Sequence, residues 1–389
     1  MTGLRTNLFV VALGLTLLGN VMVYSATSKE YGAYYLILRF VHLVFGVLAF
    51  FVTRQVRYTL WRRISPGLYL AVLAGLLLVL IPGAGSEING ARRWIGFGAV
   101  SLQPAELAKL AVVLFLSCAV ARTKRGSGLP TRPILAVGFL LGIVLFEPDF
   151  GTSMVIVAGA AGVLWASELK TRDLAAGGGA ALAALVAVML IAPYRRDRLL
   201  AFLDPWSVSD GPGYQVVQSM AAIKAGSFFG TGAGAGGGGI SVPEVQTDMI
   251  FALIGEELGL LGMVSVIGAF GFLTLAGFRI ALSAPSVMAR CLAAGLATMF
   301  AVQTTFNIGA AIGAVPLTGI TLPFVSYGGS SMLVCFAAVG ILYRVSEDCE
   351  RAREARFPKK PAGGEERGAR LDRRRRDGGA RDPRALRGG

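Results

Sequence analysis

The stretch VPEVQTDMIFALIGEELG, Val242 to Gly259, runs acidic residues straight into an apolar segment of membrane type and then interrupts that segment with a further pair. An ionisable side chain inside a bilayer costs on the order of 2.5–3.5 kcal/mol on insertion scales, so acids at Asp248 and, deeper, at Glu256 and Glu257 mark a candidate site. The apolar half of the stretch is one of a series. Runs of near twenty apolar residues, the length that crosses about 30 Å of hydrocarbon, recur between short polar breaks. Composition agrees: of 389 residues 54% are hydrophobic and 15% charged, and the mean hydropathy is +0.64. The chain reads as an all-α integral membrane protein, helical because an open strand edge cannot be satisfied in lipid.

About ten transmembrane helices are expected, over 7–27, 34–53, 66–84, 104–121, 133–147, 150–167, 174–193, 248–277, 286–312 and 326–345. The first begins close to Met1 and reads as a retained signal anchor, too long for a signal peptide and without a cleavage pattern. Arg54, Arg57, Arg62 and Arg63, then Arg122, Lys124 and Arg125, then Lys170 and Arg172, fall on one side together with the Arg-rich tail. The Lys/Arg bias makes that side cytoplasmic, with both termini inside. Residues 1–345 then form a polytopic domain with a long extracytoplasmic loop, 194–247, between helices 7 and 8. Arg92, Arg93, Arg195, Arg196 and Arg198 land outside, against the bias, which points to an anionic partner there.

Net charge is +14, much of it in residues 346–389, read as a disordered basic cytoplasmic tail that includes Arg373 to Arg376. Attraction to anionic membrane lipids or a partner fits the tail better than nucleic acid, because it lacks aromatic interleaving and is rich in Gly, Pro and acids. Cys118, Cys291, Cys335 and Cys349 suit neither a metal cage nor a disulfide framework and read as packing residues. The single histidine, His42, leaves no His-based metal site or His-dependent triad. Acid–base chemistry falls to carboxylates, Lys, Tyr or Ser.

By this topology four polar segments share the outer side. In NGARRWIGFGAVSLQPAELAKL, Asn89 to Leu110, Pro104 suits a first helical turn and puts Glu106 and Lys109 on one face. They form either a boundary salt bridge or a phosphate-contacting Lys oriented by its Glu. Arg92, Arg93 and Trp94 read as an interfacial anchor, or as a guanidinium pair for a diphosphate. EPDFGT, Glu147 to Thr152, is a re-entry turn with Asp149 capping the next helix. The long loop holds GYQVVQSMAAI, with the periodicity of a short interfacial or re-entrant helix, Lys224, and GTGAGAGGGG, which lacks the phosphate-loop pattern, so nucleotide binding is not expected. At its end Thr247 or Asp248 either caps the eighth span or, in the case of Asp248, serves as general base or ligand to Mg²⁺ or Mn²⁺. PLTGITLPFVSYGGSSM, Pro316 to Met332, implies broken backbone lining a cavity; Ser326, Ser330 and Ser331 lack the elbow and histidine of a serine nucleophile.

NGARRWI, QPAELAKL, EPDFGT, GYQVVQS, PEVQTDMIFALIGEELG and LPFVSYGGSS occur in an order and spacing that resembles the SEDS family (shape, elongation, division and sporulation), whose members include RodA and FtsW. The resemblance covers nearly the whole chain except the tail. It implies a ten-helix peptidoglycan glycosyltransferase of the bacterial cytoplasmic membrane that polymerises lipid II, the undecaprenyl-diphosphate-linked precursor, on the outer face. It implies a class B penicillin-binding protein as partner, other divisome or elongasome proteins around it, and dependence on a divalent cation, with no nucleotide, haem, flavin or nucleic acid. The essential acid of the PE-x-x-TD motif maps onto Asp248, and the QP-x-E-x-x-K pair onto Glu106 and Lys109. Arg92, Arg93, Gln218, Glu244, Thr247 and Ser326 complete the expected substrate-binding and site-ordering set. Gln246, Met249, Lys224 and Ala225 depart from the usual pattern, which bears on loop geometry. YRRDRLLAFLDPW and PLTG are more similar to the division branch than to the elongation branch. A lipid II flippase is the alternative; it would need its polar groups at the midplane between repeat-related halves, and no internal repeat is detected.

Overall fold

The computed structural model describes residues 2–356 apart from 58, 84, 89–90, 98–99, 124–127, 192, 210, 212 and 235–241. The expectations for Lys124, Arg125, most of the glycine run and the tail from 357 onward lie outside the described residues. The apolar runs fold as helices in the expected order: α1 (Thr2–Tyr31), α2 (Tyr34–Gln55), α3 (Trp61–Leu80), α4 (Pro104–Val120), α5 (Thr131–Phe146), α6 (Phe150–Trp165) and α7 (Thr171–Ile191). Two helices, α8 (Pro193–Leu203) and α9 (Tyr214–Gly226), occupy the stretch between α7 and the last three, α10 (Ile250–Leu282), α11 (Val287–Ala311) and α12 (Gly329–Arg356). Among the described residues, seven helices (α1, α2, α3, α7, α10, α11 and α12) have the length and apolarity to cross a membrane, while α5 and α6 are shorter apolar helices. The protein is a multi-pass membrane protein.

Four expectations need correction. The polar break between α3 and α4 is a three-stranded antiparallel sheet, β1 (Ser86–Ile88), β2 (Ala91–Phe97) and β3 (Val100–Leu102), in the order β1-β2-β3. The loop 194–247 holds two helices: α9 sits where a short helix is expected, and α8 is an addition to that expectation. The eighth span begins at Ile250 behind Met249, with no side-chain cap, so neither Thr247 nor Asp248 is its N-cap. The last helix runs to Arg356, past the expected boundary at 345, because Arg344 pairs one turn on with Glu347 at 3.5 Å and Asp348 at 3.2 Å, which supports a polar helical end.

Lipid offers no hydrophobic drive between helices, so close backbone approach must hold them together. The α6–α11 contact shows this. A Cβ on Gly162 would lie 2.4 Å from Thr298 Oγ1, and one on Gly295 would lie 2.6 Å from Val163 Cγ2. A second device fixes the outer loop. At Gly259 (φ 64°) α10 breaks, and the carbonyls of Glu256 and Glu257 leave the helical ladder. They accept instead from the amides of Thr231 (2.9 Å) and Gly232 (3.1 Å), while Leu260 N donates to Ser227 O (3.0 Å). The chain leaving α9 is thus pinned to the helix that follows Asp248.

Candidate active site

The amino-terminal ends of α4, α6, α10 and α12 converge on one cavity of ≈ 330 Å³. Gln103 and Glu106 line it from the start of α4, Asp149 from the turn before α6, Asp248 from the turn before α10, and Gly328 and Ser330 from the start of α12. Helix amino termini carry partial positive charge and free amides, so four of them around one space favour an anion. Arg93 from β2 and Arg195 and Arg198 from α8 add three guanidinium groups to the wall.

Asp248 is half-buried, and its backbone is held from two sides. Asn307 Nδ2 on α11 donates to the carbonyls of Asp248 (2.8 Å) and Ile320 (2.7 Å). Ser326 Oγ donates to Thr247 O (2.5 Å) and accepts from Leu322 N (2.8 Å), and Tyr327 N donates to Gln246 O (2.8 Å). The broken segment before α12 therefore clamps residues 246–248. Burial pushes the Asp248 carboxyl above its ordinary pKa; a hydrogen bond from Thr247 opposes this, the charge of Glu244 adds to it, and Arg198 opposes it. A carboxylate so placed holds a proton more readily than a free one, as a general base requires.

Glu106 and Lys109 meet at 2.7 Å, and Lys109 Nζ also donates to Gln303 Oε1 (3.0 Å). Lys109 is only 1% exposed, behind the cavity wall, so the geometry is that of the buried salt bridge and Lys109 does not reach a phosphate in the cavity. Gln303 Nε2 passes the contact on to Thr321 O (2.9 Å), tying the pair to the broken segment. Asp149 caps α6 as expected, accepting from Thr152 N (3.0 Å), and also accepts from Gln103 Nε2 (2.9 Å). In the same turn Glu147 is buried, and its carboxyl is raised to about 8 by burial and by neighbouring Asp149, with Arg93 opposing. Arg93 donates to the carbonyls of Glu147 and Pro148, each at 2.9 Å.

Of the expected set, Arg93, Glu106, Glu244, Thr247 and Asp248 line the cavity. Arg92 does not. Strand side chains alternate, so it lies on the opposite face from Arg93 and pairs with Glu87, its cross-strand partner, at 3.2 Å. Gln218 is likewise absent from the lining; Gln215, one turn earlier on α9, takes that place and donates to Pro243 O (3.0 Å). Ser326 is buried beneath the site as a clamp. Ser25 on α1 donates to Glu257. The sequence marks Arg195 and Arg198 as outward cations for an anionic partner but leaves them out of the expected site set, which also lacks Arg39, Gln303 and Asn307. Polar groups inside apolar spans are costly, and that signal would have found all three.

Residues 5–351 match the FtsW/RodA/SpoVE family, described as cell cycle protein. The chain is 37% identical to the probable peptidoglycan glycosyltransferase FtsW of Trichlorobacter lovleyi, over 87% of this chain and 92% of that one. It is 38% identical to the stage V sporulation protein E of Bacillus subtilis, over 87% and 96%. A chain from a solved structure described as "Structural coordination of polymerization and crosslinking by a peptidoglycan synthase complex" superposes with a TM-score of 0.73 at 31% identity, covering 88% of this chain and 97% of that one. The protein therefore belongs to the FtsW/RodA/SpoVE family of cell cycle proteins.

Proposed function

We propose that this chain is a peptidoglycan glycosyltransferase that polymerises lipid II at the cavity around Asp248. Supporting this, relatives of 37% identity bear that activity in their names, and an acid able to take a proton shares one space with three arginines and four helix amino termini. In the reaction the 4-hydroxyl of the acceptor sugar attacks C1 of the donor. The bond from donor C1 to the acceptor's 4-oxygen forms, the C1–O bond to phosphate breaks, the hydroxyl proton passes to Asp248, and undecaprenyl diphosphate leaves. Arg93, Arg195 and Arg198 with the helix ends would meet the negative charge that develops on the leaving group.

Among the described residues no group of three or more His, Cys, Asp or Glu converges as a metal cage. A divalent cation fits in a narrower form: Mg²⁺ often takes one or two carboxylates and completes its shell with substrate phosphate and water, and Asp248 is the carboxylate here. Such an ion would neutralise diphosphate charge. The Lys/Arg bias supports our reading of the cavity as lying on the outer face of the cytoplasmic membrane with both termini inside. A penicillin-binding protein of class B is the partner we propose, in keeping with the crosslinking named for the structural relative, and division is the favoured setting over elongation. The position of the acids before helices, rather than mid-span, weighs against a flippase. The test is incubation of the purified full chain and its partner with labelled lipid II and Mg²⁺ or Mn²⁺: a ladder of glycan strands is expected, and its absence under conditions where the partner still crosslinks would refute the reading.

A further inference from the structure

We infer that Arg39 of α2 is a positioning residue for the Asp248 site, acting through the broken backbone before α12; this rests on the reading of Asp248 as the base. Arg39 is fully buried, and among the described residues every bond it makes is to a neutral oxygen. Nε donates to Asn20 Oδ1 on α1 (2.8 Å), Nη1 to Val325 O (2.8 Å) and Ser326 O (2.5 Å), and Nη2 to Phe324 O (2.9 Å). Three successive carbonyls that no helix or strand serves are gathered by one guanidinium, whose rigid fork presents its donors without loss of side-chain freedom at each bond.

The gathered turn is strained. Phe324 has φ 65°, a left-handed conformation that a bulky residue adopts only when its surroundings impose it. Two residues on is the clamp itself: Ser326 gives its carbonyl to Arg39 and its hydroxyl to Thr247 O. Tyr327 N then holds Gln246 O at 2.8 Å. The chain of contacts from Arg39 to the residue before Asp248 is thus guanidinium, carbonyl of 326, hydroxyl of 326, carbonyl of 247. The fit is close on the far side too. A Cβ at Gly19 of α1 would lie 2.4 Å from Val325 O and 2.7 Å from Arg39 Nη2, so α1 presents a glycine where the turn and the guanidinium approach it. Without Arg39 the carbonyls lose their donors, the turn has no reason to keep its left-handed residue, and the support under 246–248 slackens. A misplacement near 1 Å at a reacting group costs on the order of 100-fold in rate.

The test compares wild type with Arg39→Met, Arg39→Lys and Asp248→Asn, each as the full chain with its partner, reading kcat and KM for lipid II polymerisation per folded protein, with Tm in parallel. Arg39→Met is expected to lower kcat by about 100-fold with KM near that of wild type, and Arg39→Lys, which keeps the charge but not the fork, to recover part of that loss. A wild-type kcat in Arg39→Met, or a loss confined to Tm or to the amount of folded protein, overturns the inference. Should Arg39→Met not accumulate, Arg39→Lys decides alone: a several-fold drop in kcat at unchanged KM supports it, and a wild-type kcat overturns it. If Asp248→Asn polymerises at the wild-type rate, the reading of Asp248 fails instead, whatever the Arg39 variants do.

Discussion

Replacing Lys109 by Met separates the two roles that the Glu106–Lys109 spacing allows. The pair is buried, with side-chain exposures of 1% and 8%, and Lys109 bonds Gln303 as well. Removing one member of a buried ion pair typically costs about 3–5 kcal/mol, because the partner charge stays behind unpaired. The lost bond to Gln303 adds about 1 kcal/mol. Lys109→Met should therefore lose about 3–5 kcal/mol. Glu106→Gln combined with Lys109→Met strands no charge and should regain most of that loss. Reversible unfolding in mixed micelles measures this. A single variant within 1 kcal/mol of wild type, or a double variant no more stable than the single one, would refute the structural role.

Other consequences are as direct. Because burial raises the Asp248 pKa, the base form is lost at a higher pH than for a free Asp: polymerisation by the wild-type chain should fall as pH drops through that raised value, read from a pH–rate profile of kcat/KM. Arg198→Gln should weaken the handling of the diphosphate, lowering kcat/KM by about 10–100-fold, whereas Arg92→Gln, paired with Glu87 outside the cavity, should stay within a few-fold of wild type in the same assay. Gly259→Ala places a Cβ 2.4 Å from Gly230 N at a left-handed position, so it should unpin α9 from α10 and increase protease cleavage around residues 227–232; wild-type resistance would count against that anchor.

Much of this was legible in the chain. Hydropathy gave the helices and their order, Pro104 gave the face shared by Glu106 and Lys109, and the acid at the head of an apolar run singled out Asp248. The failures have physical causes. ARRWIGF is too short and too charged to stand out as a strand between membrane spans, and its pairing partners lie on either side of it. α8 opens on a charged run, Arg195 to Arg198, whose arginines are accommodated by contacts such as Arg195 with Leu145 O and Arg198 with Leu317 O, each at 3.3 Å, made with distant parts of the chain. Gln215 and Gln218 lie one turn apart on α9, and only the packing of that helix decides which of them reaches the cavity. Arg39, Gln303 and Asn307 stand as polar groups inside apolar spans, but which backbone they serve depends on a broken segment distant in sequence.

The central claim is that Asp248 takes the acceptor proton, and the most direct measurement is glycan-strand formation from lipid II by Asp248→Asn and Asp248→Ala beside wild type, with lipid II binding measured on the same preparations. Loss of strands in both variants with binding kept within a few-fold is the result this mechanism requires, and strands of normal length and yield from Asp248→Ala would contradict it.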